Sequence, residues 1–193
     1  MQTFLPYGKD FAANAACLDD KRLGKQRVET YQILRTLWGV SDGWKNHPAT
    51  RMWEGWEDVL VIYGLHVCHA WKARGYKDTL ADKIAEAAGP YFDGQHRRFD
   101  VERDSVWYRY NDNCWEYSAW QYQSYLPPWI DDPRLTASHQ ANLYRKHPDY
   151  YCWYFGELEP MDYWWPNPAD HNRFGDRLSF YNYDVNKIYE RIR

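Results

Sequence analysis

With 193 residues the chain is long enough for one domain with a substantial core, and a formal charge of −3 with a pI of about 6.2 excludes a global basic field for nucleic acid, so any such site must be a local patch. A mean hydropathy of −0.86 and the lack of a long apolar run exclude a membrane-spanning helix. Aromatic residues make up 19%, with 12 Trp and 18 Tyr, more than a core of this size needs. The excess points to a binding surface, where a flat ring stacks and its polar edge hydrogen-bonds.

In chain order, Met1–Tyr7 (MQTFLPY) alternates weakly. It reads as an extended segment pinned to the core by Phe4 and Leu5, against the usual fraying of termini. Leu18–Trp38 has the spacing of a helix with two stripes. Asp19, Arg22, Gln26 and Glu29 form a polar stripe of acid, base and amide. Leu23, Thr30, Leu34 and Leu37, edged by Tyr31 and Trp38, form an apolar one that faces a core. If the polar stripe is buried, its charges must pair with one another or with a ligand; otherwise it is a solvated face of ion pairs. Gly39 fits a C-cap, and Ser41–Pro48 is a loop in which His47 is biased towards an extended conformation by Pro48. A second helix is predicted over Trp53–Arg74, with Trp56, Leu60, Tyr63, Val67, Ala70 and Trp71 on a core stripe and Gly75 as its left-handed cap. A short third stretch follows over Thr79–Ala88.

At Gly89-Pro90 the composition changes. Residues 89–125 have no clear helical period, and carry an aromatic run from Trp107 to Tyr125 with a candidate hairpin around Asn111–Asn113. After Pro127-Pro128, the last main helix is predicted over Arg134–Lys146, stopped by Pro148. Tyr150–Arg193 reads as irregular and aromatic, with a short terminal helix at Val185–Ile192. The predicted elements are mainly helical, in one domain or one domain with an appendage. Cys17, Cys68, Cys114 and Cys152 have no paired spacing, which points to reduced thiols in the cytoplasm and against a zinc site. No signal peptide is visible.

Several residues are candidates for chemistry, each with a plain alternative. Arg22, Lys25 and Arg27 cluster on the first helix and, with Arg51, can contact phosphates, or can be ordinary solvated charges. Glu29 is a candidate catalytic acid, or a buried partner of Arg22. His47 can face a site, or can hydrogen-bond backbone in its loop. Ser138, His139 and Asn142 share a helical face near Arg145 and Lys146, with helix capping as the alternative for Ser138. Arg145 and Lys146 beside Tyr150 and Tyr151 pair charge with stacking as nucleic-acid sites do, or only complement a helix dipole. The Trp107–Tyr125 aromatics can stack bases, hold a nucleotide or sugar, or meet a protein partner.

The blocks MQTFLPY, LDDKRLGKQRVETYQILR, NHPATRMW, YGLHVCHAWKARGYKDT, LPPWIDDP, SHQANLYRKHPDYY and WWP together resemble the pyrimidine-dimer DNA glycosylases, the family related to bacteriophage endonuclease V. The resemblance covers about residues 1–88 and 126–166, and it implies a mainly α fold, a compact single domain of about three main helices over residues 1–166, with an insertion at 89–125 and a C-terminal extension at 167–193. It implies an endonuclease V-like helical domain and a glycosylase with abasic-site lyase activity, in which the N-terminal α-amine attacks the sugar C1′. Such an amine titrates near pH ~8, so an appreciable fraction is neutral and nucleophilic without burial. A nearby carboxylate stabilises the cationic sugar.

Two departures from the family pattern move those roles. The phage enzyme has a small residue after an initiator Met that is removed, whereas Gln2 here is large enough to retain Met1, so the reactive amine becomes that of Met1. Its catalytic glutamate directly follows an arginine on the first helix, whereas Arg22 is followed by Leu23; Glu29 is the expected substitute, with Asp19 second. The resulting expectation is catalysis by Met1, Glu29, Arg22 and Asp19, with DNA held by Lys25, Gln26, His47, Arg51, Ser138, His139, Asn142, Arg145, Lys146 and Tyr150. No metal or cofactor is needed. The competing expectation is a catalytically silent or small-ligand relative that binds a nucleotide, modified base or protein through its aromatic surface.

Overall fold

The computed structural model of the chain describes residues 1–84, 109–111, 114–116 and 126–166. Helices dominate them. Helix α1 (Phe11–Ala16) is capped by Asp10, whose carboxylate accepts the Ala13 N–H at 2.9 Å. Helix α2 (Asp20–Leu37) starts on Asp19, extended and accepting the Arg22 N–H at 3.1 Å. Its far end closes by the paired bonds Gly39 N–H to Thr36 O and Val40 N–H to Arg35 O, with Gly39 at φ 72°, which only glycine adopts freely. Helix α3 (Pro48–Arg51) is one turn capped by His47.

Helix α4 (Glu57–Ala73) begins later than the predicted Trp53. The path from Trp53 to Trp56 is a turn, closed by Trp56 N–H to Trp53 O at 2.8 Å, in which Gly55 at φ 78° breaks the helical course. Residues 80–84 are helical, and the rest of the Thr79–Ala88 stretch lies outside the described residues. Strands β1 (Arg109–Asn111) and β2 (Cys114–Glu116) pair antiparallel with Tyr110 opposite Trp115, at the expected hairpin. The remainder of the insertion and the proposed helix at Val185–Ile192 lie outside the described residues.

Helix α5 (Pro133–Lys146) is capped by Asp132 and followed by α6 (Pro148–Phe155). Helix α6 runs where Pro148 is expected to stop the chain's helical course. Proline also suits the first position of a helix, since its missing N–H has no partner there. His147 ends one helix and caps the next, its Nδ1 accepting the Tyr150 N–H at 3.2 Å.

Helix α4 is the centre. Every residue from Val59 to Leu65 is buried, and the helix packs against α1 and α2. On α2 the apolar stripe holds: Leu23, Thr30, Ile33 and Leu34 are buried, with Tyr31 and Leu37 at the edge. The two helices are close at Gly64, where a Cβ would sit 2.9 Å from Thr30 Cγ2.

The N-terminal segment runs extended and buried from Gln2 to Pro6, and among the described residues no strand pairs with it. Side chains take the strand's place. The N–H of Gln2 goes to Glu29, that of Thr3 to the Gln2 carboxamide, that of Phe4 to Gln26, that of Leu5 to His139 and that of Tyr7 to Asn14. Since Pro6 has no N–H, each donor from residue 2 to residue 7 is satisfied by a side chain.

Candidate active site at the N-terminus

Gln26 is the first of these anchors. Its Oε1 accepts the Phe4 N–H at 2.9 Å and its Nε2 donates to the Gln2 carbonyl at 2.7 Å, so one carboxamide meets the segment as an adjacent strand would. The Tyr63 hydroxyl, 2.6 Å from the same Oε1, comes from the core stripe of α4. Burial holds that phenol well above its ordinary value, so it remains a donor. From α5, His139 Nδ1 accepts the Leu5 N–H at 2.9 Å, and complete burial pushes its imidazole down to about 3. A neutral ring accepting at Nδ1 carries its proton on Nε2, which faces the Gln2 carboxamide.

These anchors bring the Met1 amine to 3.9 Å from Glu29 Oε1. The Met1 side chain is tucked in, with Thr50 Oγ1 3.9 Å from its sulfur. The two Glu29 oxygens have different duties. Oε2 accepts the Gln2 N–H at 3.1 Å and Gln26 Nε2 at 3.3 Å, which fixes the carboxylate. Oε1 faces the amine and the exposed Lys25 ammonium, 3.6 Å away. The site therefore offers an α-amine and a carboxylate oxygen that is not tied up in holding the fold.

His47 stands beside this pair. Desolvation and then the charge of the Met1 amine push its imidazole below the ordinary value, with Glu29 acting the other way. Its Nδ1 accepts the Ala49 N–H at 3.1 Å, so the neutral ring has only its Nε2–H left to offer. Cations gather on the other side of Glu29. Partial burial and then Arg145, Arg22 and Lys25 hold the Lys146 ammonium below its usual range, while Glu29 opposes them.

Residues 1–84 match the family model described as pyrimidine dimer DNA glycosylase. The match covers 84 of the 193 residues. No curated protein and no solved structure matches the chain. The family segment supplies α1 to α4 and carries Met1, Gln26, Glu29 and His47. His139, Arg145 and Lys146, on α5, lie outside it, so the site is completed by a helix beyond the matched residues.

The structure corrects several expectations. Arg22 and Glu29 share a stripe but do not pair. Arg22 bonds Asp19 Oδ2 at 2.9 Å and the Lys146 carbonyl at 2.9 Å, tying α2 to the end of α5. Asp19 does not face the amine either. Burial would raise its carboxyl, but the Tyr151 hydroxyl at 2.7 Å and its bonds to Arg22 outweigh this and hold it below the ordinary value. Gln26, Ser138, His139 and Asn142 have at most 1% of their surface exposed, which rules out direct contact with a nucleic acid. Gln26 and His139 hold the N-terminal segment. Ser138 donates to the Leu135 carbonyl within its helix, and Asn142 donates to Met161 O and accepts from Arg145. Arg27 is spent on Asp78 and lies over the Trp71 ring.

Lys25, Arg51, Arg145 and Lys146 are exposed, and His47 and Tyr150 are half-buried. Tyr150 meets Tyr154 through the two hydroxyls at 3.4 Å. Gln2, Tyr63, Tyr163 and Trp165 are not among the residues the sequence marks for the site: Tyr63 belongs to a core stripe, and Gln2 stands out only as a bulky second residue. Tyr163 and Trp165 fell in the stretch read as irregular, yet their rings pack against His139 at 5.8 and 6.3 Å. Cys17, Cys68 and Cys152 are free thiols. No described helix is long and apolar enough to cross a membrane.

Proposed function

We propose that the chain is a DNA glycosylase acting on damaged or modified pyrimidines, of the pyrimidine-dimer type, with abasic-site lyase activity carried by the Met1 amine. The observation that carries this reading is the placement of that amine 3.9 Å from Glu29 Oε1 by a buried, fully hydrogen-bonded segment within the family's own residues. In the proposed reaction the neutral amine attacks C1′ as the bond from C1′ to the base nitrogen breaks. The base leaves with the bonding pair and takes up a proton. The amine nitrogen then gives up one proton and shares its lone pair with C1′ as the C1′–O4′ bond breaks, O4′ taking the bonding pair and a proton, which opens the sugar and gives an iminium. Removal of a C2′ proton then expels the 3′ phosphate.

Glu29 Oε1 lies where it stabilises positive charge developing on the sugar and receives a proton from the amine. Oε2 keeps the carboxylate aimed. Lys25, Arg145 and Lys146, with Arg51, are the local patch that an acidic chain needs to meet phosphates. His47 offers a hydrogen bond from Nε2 but cannot act as a general base while Nδ1 caps α3.

Borohydride trapping on duplexes carrying a pyrimidine dimer or an abasic site tests the reading. A covalent adduct that maps to the Met1 peptide by mass spectrometry is expected, because borohydride reduces the iminium to a stable amine. Absence of an adduct on both substrates would overturn the lyase chemistry.

A further inference from the structure

Among the described residues, Trp44 is the one non-glycine with positive φ, at 66°. Bulky side chains seldom adopt that conformation, and where they do the surrounding structure imposes it. Here the loop is tied down on both sides. Thr36 Oγ1 donates to the Gly43 carbonyl at 2.7 Å with Ser41 Oγ 3.1 Å away, and the His47 N–H donates to the Trp44 carbonyl at 2.9 Å. Core packing does not explain the strain, because the indole is 57% exposed. The loop fixes a large aromatic side chain in solvent.

The direction in which it is fixed matters. Trp44 meets His47 at 5.5 Å and 81°, and His47 meets Trp165 at 6.1 Å and 82°, so the exposed indole abuts the imidazole that feels the Met1 amine and Glu29, with Trp165 on beyond it. The His47 contact is T-shaped rather than a parallel stack, so that ring does not lie flat on the indole as a base would. A strained and exposed indole at the edge of a site has the properties of a stacking platform, which accepts any base through its π-face.

We propose that Trp44 stacks on an unstacked nucleobase of DNA bound beside the Met1 amine. The assignment rests on the DNA reading above and adds to it the residue that holds a base outside the helix. The test uses a duplex in which 2-aminopurine is left unpaired opposite a tetrahydrofuran abasic analogue, which binds without reacting. Wild-type protein should quench the 2-aminopurine emission as the base stacks on indole. Trp44→Gly should lose the quench and weaken binding roughly 5- to 150-fold, the range for one lost stacking contact. Its melting temperature should be unchanged or higher, since glycine adopts φ 66° without strain. Trp44→Phe should retain most of the quench.

Undiminished quenching in Trp44→Gly would overturn the proposal, as would a fall in its melting temperature together with its affinity, which marks a structural residue. Borohydride trapping of the wild type judges the glycosylase reading separately. A protein that quenches but is never trapped keeps the Trp44 assignment and loses the lyase, whereas a wild type that does not bind the duplex loses both.

Discussion

Replacing Glu29 by Gln separates the chemistry of the site from its architecture. The carboxamide has the shape of the carboxylate, and with its oxygen at the Oε2 position it still accepts the Gln2 N–H and the Gln26 amide. Its nitrogen then sits at the Oε1 position, a donor facing the Met1 amine and Lys25, where an acceptor is required. The structural loss is small. Lys25 is 71% exposed, and an exposed i,i+4 ion pair is worth about 0.3–0.5 kcal/mol. The chemical loss is large, because the variant has neither a proton acceptor nor a negative charge beside the sugar; losing a positioned acid or base costs about 10²–10⁴-fold in rate. Glu29→Ala is the contrasting variant. It also strands the buried Gln2 N–H, at about 1–3 kcal/mol, so it should lose stability as well as rate. Single-turnover cleavage of abasic and dimer-containing duplexes, with urea midpoints for each protein, reads both losses. Cleavage by Glu29→Gln within about tenfold of wild type, on a scale where 1.4 kcal/mol is tenfold, would remove Glu29 from the mechanism.

A single glycine added before Met1 should abolish trapping and cleavage while leaving the melting temperature nearly unchanged: it turns the amine into an amide and displaces the new terminus by about 3.8 Å. Trapping at the wild-type rate, with the extension verified by mass spectrometry, would refute the amine's role. Acid should destabilise the fold well above the carboxylate range. Burial holds His139 down to about 3, and burial chiefly holds His66 down to about 4. The unfolded chain therefore binds more protons below pH ~6.5, and the stability these rings contribute is complete above that pH and falls as pH drops, by up to about 1.4 kcal/mol per pH unit for each. Urea midpoints from pH 7 to 4 measure the slope, and His139→Asn, whose oxygen can accept the Leu5 N–H, should roughly halve it; a flat profile would contradict the buried neutral imidazole. Gly64→Ala should destabilise by about 1–2 kcal/mol, since the Cβ meets Thr30 Cγ2 at 2.9 Å and overpacking outweighs alanine's gain in helix propensity. Thr30→Ser removes that methyl and should recover much of the loss in the double variant; no recovery would place the close approach elsewhere.

What the sequence disclosed depended on how far each interaction reaches along the chain. The apolar stripe of α2 and the burial of Tyr63 follow from local periodicity, and both were legible. So was the oddity of acid, base and amide on one face. How those residues are used was not, because their partners come from distant segments: Gln26 bonds Gln2 and Phe4, and His139 bonds Leu5 across 134 positions. A shared stripe also proved weaker than proximity. Arg22 and Glu29 are seven residues apart, about 10.5 Å along a helix axis, whereas Asp19 lies one turn away and takes the guanidinium. Helix α1 had a visible signal in Asp10 followed by an alanine-rich run, but its 6 residues are too few to show a period.

The polar stripe and the N-terminal segment explain one another. Ordering the first five residues costs about 5–10 kcal/mol in backbone entropy. Burial of Phe4 and Leu5 returns about 3–6 kcal/mol, and the side-chain bonds to the N–H groups of residues 2 to 5 about 2–6. These terms nearly cancel, so the segment stays in place only while most of its anchors hold. A β-strand partner would anchor such a segment more securely, but it would spend the backbone on a ladder and leave a carboxylate beside the amine to chance. Gln26, Glu29 and His139 instead reach the segment through side chains, and one of those anchors, Glu29, keeps a second oxygen turned to the amine. The same carboxylate thus fixes the terminus and faces its amine, which is why a mainly helical fold buries so many polar groups around five residues of extended chain.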